Sequence, residues 1–292
     1  MLFQRRCLLT RLAFFVCTTT LFASCAHKSY SSPEGYEIEK PRLMELGKTL
    51  MEISDISYND NNGTLLAVSD SKRNVFELNF TNPKLTDYTE KVVPPDSDLE
   101  GIAKVDDTLY LLGSLGIITE VAKGAAPDSN SIKSYKLNLP DKNDFETIYY
   151  DPTVKSLVII CKSCAFEKGK HSRSAFRFDL QAKQFDSTAF FTISTEDVKK
   201  LLKDDDAKFD PSAAAIHPIN KRLYILSSAG NLLVVADTRG KVVEAFRLDP
   251  DRFPQAEGIA FAPNGDMFIT NEGKYGKPTL QIFPFKTHEK KK

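Results

Sequence analysis

The sequence has no tryptophan and only four histidines and five cysteines among 292 residues, and each scarcity removes a class of function. His27, His171, His217 and His288 are scattered, and none stands at ligand spacing from a cysteine, so no zinc site is written in the pattern. No GxSxG elbow, phosphate loop or HExxH motif occurs, which leaves those three catalytic templates without support. Net charge is missing too: 39 basic residues balance 39 acidic ones, and the one basic run is the terminal "KTHEKKK". So neutral a chain offers no electrostatic footing for nucleic acid, which is not expected as a partner. The tail, 287–292, reads as a solvated end.

The cysteines divide by position. Cys7, Cys17 and Cys25 lie in the first 25 residues, and only Cys161 and Cys164, in "CKSC", belong to the rest. Redox-active C-x-x-C pairs open a helix in a βαβ unit, whereas this one follows the strand-like "SLVII". It reads as a loop pair without catalytic duty, either disulfide-bonded or reduced.

The N-terminus decides where the chain is expected to live. "MLFQRRCLLTRLAFFVCTTTLFASC" has Arg5, Arg6 and Arg11 ahead of an apolar run from Leu12 to Phe22, followed by small residues, which is the layout of a cleaved export signal. The run is too short to span a bilayer comfortably, and "LFASC" resembles a bacterial lipobox. Residues 1–24 are therefore expected to be a lipoprotein signal peptide, with Cys25 lipidated and anchoring the chain to a membrane. The polar segment 25–41 is expected to be a tether. Its lack of an acidic run leans the expected location toward the periplasmic face of the outer membrane.

Internal similarity organises the remainder. "EISDISYNDNNGTLLAVSDS", "DLEGIAKVDDTLYLLGSL", "DFETIYYDPTVKSLVIICKS", "DPSAAAIHPINKRLYILSSA" and "QAEGIAFAPNGDMFITNEG" each hold a strand, a turn of Asn, Asp, Gly or Pro, and a more apolar strand. A third strand follows every unit, and a fourth follows four of the five. Four antiparallel strands per unit make one propeller blade. With Ser54, Glu100, Glu146, Ser212 and Glu257 aligned, the spacings are 46, 46, 66 and 45 residues. The fifth unit ends without a fourth strand, and "PRLMELGKTL", 41–50, has no blade of its own. The sequence thus predicts an all-β fold over 42–286: a single five-bladed β-propeller of four-stranded antiparallel blades, closed by the N-terminal strand. The insertion "STEDVKKLLKDDDAKF" predicts one short helix that packs Val198, Leu201 and Leu202 on the propeller.

The innermost strands line a central channel, so the aligned columns show what faces it. The apolar column Ile53, Leu99, Phe145, Pro211 and Ala256 precedes the polar column Ser54, Glu100, Glu146, Ser212 and Glu257. Turn arithmetic sets Glu257 across from Glu272 with Asn271 adjacent, and Ser54 near Asp70 with Asp55 adjoining. Three glutamates around one small mouth raise each other's pKa unless a cation joins them. Three arrangements relieve the repulsion: a hard divalent cation on Glu100, Glu146 and Glu257, calcium being the expected cofactor; Lys162, in the same ring; or bonds from the glutamates to backbone amides of neighbouring blades. The expected ligand-binding set at the mouth is Ser54, Asp55, Asp70, Lys162, Ser212, Asn271 and Glu272, open to a small polar ligand or an envelope protein. His217, at a hairpin turn, falls at the far end of its blade from the glutamates.

The series "DLEGIAKVDDTLYLLGS", "DFETIYYDPTVKSLVIIC" and "QAEGIAFAPNGDMFITNEG" resembles the SdiA-regulated, YjiK-like family of exported β-propellers, in blade order over 42–285. The resemblance implies a propeller fold and an envelope location, and the polar ring at the channel mouth leads to the expectation of a non-enzymatic scaffold or binding role there. Similarity to the wider group of calcium-dependent six-bladed lactonases and phytase-like esterases implies the alternative, a calcium-dependent hydrolase of lactones or phosphoesters. There Glu100, Glu146 and Glu257 would hold the metal, and Asp70, Asn271 or Glu272 would activate water. The chain differs from that group in blade number and offers no His or Asp base at a fixed place.

Overall fold

The computed structural model of the chain describes residues 29–89, 98–122, 132–274 and 276–287. The expected signal peptide, Cys25 and residues 288–292 of the tail lie outside them.

Five antiparallel sheets follow one another in chain order, each beginning at the channel. Their innermost strands are Ile53–Asn59, Gly101–Val105, Asn143–Asp151, Ala213–Ile216 and Ala256–Phe261. Three of the second strands, Thr64–Ser69, Leu223–Ser227 and Met267–Asn271, are buried along their whole length. Both faces of such a strand meet a neighbouring blade, which is why "TLLAVS" and "LYILS" read as continuous apolar runs rather than alternating ones. Five apolar clusters result, one at each blade-to-blade contact. Burying them is the main force that shuts the ring.

The ring closes as the pattern predicts. Arg42–Glu45 pairs antiparallel with Thr279–Phe283, from Arg42↔Ile282 to Glu45↔Thr279, and supplies the fourth strand of the last blade. The third blade departs from the simple scheme. Its outer strand is broken into Gln184–Phe185 and Phe191–Ser194, both paired with Ser172–Asp179. The inserted helix runs Thr195–Leu202, capped by Ser194, whose hydroxyl accepts the Asp197 N–H at 3.0 Å. Val198 is buried as expected, but Leu201 is 46% exposed, because a two-turn helix lying on a blade can bury only a narrow stripe.

The segment expected as a tether is docked in its described part. Tyr36 and Ile38 are buried in the cluster between the fourth and fifth blades. The Tyr36 hydroxyl donates to the Gly265 carbonyl at 2.6 Å and lies 2.8 Å from His217 Nε2. His217 Nδ1 accepts the N–H groups of Ile219 and Asn220, both at 3.1 Å, so the ring is neutral, with its proton on Nε2 facing the tyrosine oxygen. Burial holds His217 down at about 4. This histidine fastens the N-terminal segment to two hairpin turns, far from the glutamates.

Candidate functional site

The polar column is aimed by backbone geometry. The inner ladder slips by one residue between Ile53 and Asp55, between Phe145 and Thr147, and between Ala256 and Gly258, leaving Ser54, Glu146 and Glu257 as bulge residues. Glu100 and Ser212 donate their N–H groups to Leu112 and Leu226, the residues that pair with Gly101 and Ala213. All five blades therefore place the extra residue at the same point, and a bulge there re-aims its side chain.

What the bulges aim at is one cavity of about 150 Å³ at a channel mouth. Glu100, Glu146 and Glu257 line it, with Ser54 and Ser212 from the remaining blades. Asp70, Lys162, Gln255 and Glu272 complete it. Five carboxylates thus face one ammonium.

The electrostatics follow from that ratio. Burial, with the charges of Glu146 and Asp70 behind it, pushes Glu100 up to about 8. Burial raises Glu272 to about 7, reinforced by Glu257. Glu146 is held at about 7 because burial outweighs its contact with Lys162. Glu257 is raised by burial despite bonds from Gln255 and from Ser228, whose hydroxyl donates to its Oε1 at 3.0 Å. Asp70 is raised by burial and by Asp98. Burial alone would lower Lys162, but the hydrogen bond and charge of Glu146, with Glu257 and Asp144, lift it. At neutral pH the mouth is therefore partly protonated, and Glu146 Oε2 is buried without a hydrogen-bond partner.

Two expected mouth residues lie elsewhere. Asp55 is buried behind the mouth, where its carboxylate accepts the Ile56 N–H at 2.8 Å and the Ile102 N–H of the second blade at 3.0 Å. The Ile259 N–H of the fifth blade also bonds to it. Burial pushes this carboxyl up and the three amides pull it back. The amide-tying role considered for the glutamates thus belongs to the aspartate beside them. Asn271 is fully buried and donates to Thr279 Oγ1 at 3.2 Å, toward the next strand of its blade. The bulge also corrects the expected pairing: Asn271 sits opposite Ala256, and Glu272 donates its N–H to the Gln255 carbonyl at 3.0 Å, so Glu257 faces no direct partner.

Cys161 and Cys164 form a disulfide, with Lys162 and Ser163 inside its loop. Among the described residues, the one set of three His, Cys, Asp or Glu side chains whose ligand atoms all lie within 4.8 Å of one another is Cys161, Cys164 and Glu167. The three mouth glutamates share a cavity without meeting that distance, and Glu146 is paired with Lys162. Their fit to a hard cation rests on donor chemistry: every lining acid offers oxygen, and one buried glutamate oxygen lacks a donor.

Behind the mouth the channel is plugged. The residues two beyond the bulge column, Ile56, Ile102, Ile148, Ala214 and Ile259, form a ring, each buried. Sequence reading missed this ring, although its column is as plain as the glutamate column. It also missed Gln255, the one amide in a column that is otherwise acidic, Glu52, Asp98, Asp144 and Asp210.

The sequence profile of the SdiA-regulated family matches residues 32–275. No curated protein is matched by the chain. Among solved structures, a luciferin-regenerating enzyme is 12% identical with a TM-score of 0.52, over 84% of this chain and 95% of that one. The glutaminyl cyclase of Myxococcus xanthus is 12% identical with a TM-score of 0.53, over 84% and 96%. The PQQ-bound aldose sugar dehydrogenase of Streptomyces coelicolor is 11% identical with a TM-score of 0.52, over 83% and 98%. At such identities the likeness is one of fold.

Proposed function

The chain belongs to the SdiA-regulated family, and from that premise we propose that it is a binding protein of the bacterial cell envelope whose acidic mouth holds one divalent cation. The carrying observation is the five carboxylates that share a cavity of about 150 Å³ with a single ammonium. So small a volume suits one ion with its remaining waters, or the cationic end of a small polar ligand. A hard cation taking many oxygen ligands, calcium first, matches a lining with no thiolate or imidazole. Glu100, Glu146 and Glu257 would hold it, with Asp70 and Glu272 in the same cavity. Bound there, the ion would supply the positive charge that protons now supply. The export signal and lipobox-like "LFASC" support a lipid anchor on Cys25 and a place at the outer membrane facing the periplasm.

Elemental analysis of protein purified without chelator, with thermal melts on adding and removing calcium, tests the reading. A co-purifying ion and a rise in Tm on adding calcium are expected; absence of both would retire it.

One observation favours a second reading, a metal-dependent hydrolase of lactones or phosphoesters. Glu100 at about 8 and Glu272 at about 7 are carboxyls tuned to the range where proton transfer at neutral pH is efficient. Turnover of model lactones or phosphoesters by the wild type, lost in Glu257→Gln, would favour it over simple binding. Failure of both proteins to turn over any of them would leave binding alone.

A further inference from the structure

The five inner strands line a second cavity at the opposite end of the channel, about 370 Å³ in volume. It shares no lining residue with the acidic mouth. The ring of Ile56, Ile102, Ile148, Ala214 and Ile259 forms its floor, so the plug that seals one chamber is the base of the other. One residue further along each strand stand Ser57, Ala103, Tyr149, Ala215 and Ala260, and four of these five are Ser or Ala. Small side chains above an apolar floor leave volume that a packed core would have filled. The size falls in the range of small-molecule sites.

The rim has the opposite charge preference to the acidic mouth. Lys104 and Lys221 line it against a single acid, Asp60. Among the described residues Lys104 has no side-chain ion pair, and the Lys221 ammonium meets only the Pro218 carbonyl, at 2.5 Å. Tyr58, Tyr150 and Phe261 supply aromatic walls. The arrangement is an apolar, aromatic-walled well with cations at its lip.

We propose that this well binds a small carboxylate with an apolar body, the hydrocarbon resting on the isoleucine floor and the carboxylate on Lys104 and Lys221. Apolar burial supplies the affinity and the two ammonium groups supply the sign selection. The site is independent of the cation site, because the isoleucine ring and the Asp55 junction separate the two chambers.

Fluorescence titration of the purified full chain with 8-anilinonaphthalene-1-sulfonate, followed by displacement with octanoate or octylamine, tests it. Saturable one-to-one binding is expected, with octanoate displacing the probe at least tenfold better than octylamine. Reversing the lip charges in Lys104→Glu/Lys221→Glu should weaken octanoate at least tenfold, and Ala260→Phe should abolish binding by filling the well. The lysine pair is surface-placed, so its result stands if the filled variant fails to fold. Lack of saturable binding, equal displacement by the amine, or unchanged octanoate affinity in the lysine variant would overturn the proposal.

Discussion

At Asp55 three backbone N–H groups from three blades converge on one carboxylate, whereas Glu146 takes an ammonium, that of Lys162. The two residue types respond differently to substitution. Asp55→Asn replaces an acceptor oxygen with a donor that faces a buried N–H. Destabilisation of about 2–4 kcal/mol is expected, from one or two buried donors left without acceptors, read as a lower midpoint in urea unfolding. Lys162→Met removes the charge that competes with a bound cation. Calcium affinity should rise about tenfold, worth ~1.4 kcal/mol, measured by calorimetric titration; unchanged or weaker affinity would show that the lysine is part of the ligand's own recognition.

At the scale of the element, the repeated tetrad Glu-Gly-Ile-Ala of the second and fifth blades is explained position by position. The glutamate is the bulge residue at the mouth, the isoleucine belongs to the plug, and the alanine leaves the far well open. The glycine is required by close approach: a Cβ on Gly258 would lie 2.4 Å from Thr270 Oγ1 and 3.0 Å from Ile56 N. Gly258→Ala should therefore cost about 1–3 kcal/mol through overpacking, seen as a lower Tm with unchanged secondary structure. The period, the five hairpins and the closing strand were legible because alternating strands and turn residues announce themselves locally. The mouth was legible as a column. Its detailed pairing was not, since turn arithmetic assumes an unbroken ladder and one bulge shifts every partner beyond it. That shift is why Asn271 and Asp55 were placed at the mouth and why Glu272 pairs with Gln255. The docked Tyr36 was hidden for another reason: its partners, Gly265 and His217, lie 229 and 181 residues away.

For the whole molecule the channel is two chambers of contrasting character set back to back, acidic at one mouth and apolar with a basic lip at the other. Stability should record the acidic one. A carboxyl whose folded pKa lies above its ordinary 4.5, such as Glu100 at about 8, binds more protons folded than unfolded between those values. Its contribution is full below pH 4.5 and is lost as pH rises through 8. His217, lowered from 6.5 to about 4, has the opposite slope and acts only below pH 6.5. Above pH 6.5 the opposing slope of His217 is gone, so Tm without a divalent cation should fall between pH 6.5 and 8.5, and saturating calcium should flatten that fall. Thermal melts in chelator and in calcium check it. The most direct measurement is calorimetric titration of calcium into chelator-treated protein at pH 7, repeated in buffers of different ionisation enthalpy. A single site with net proton release is expected, because the ion displaces protons from Glu100, Glu146 and Glu272; no binding heat in any buffer, or binding without proton release, would contradict the account.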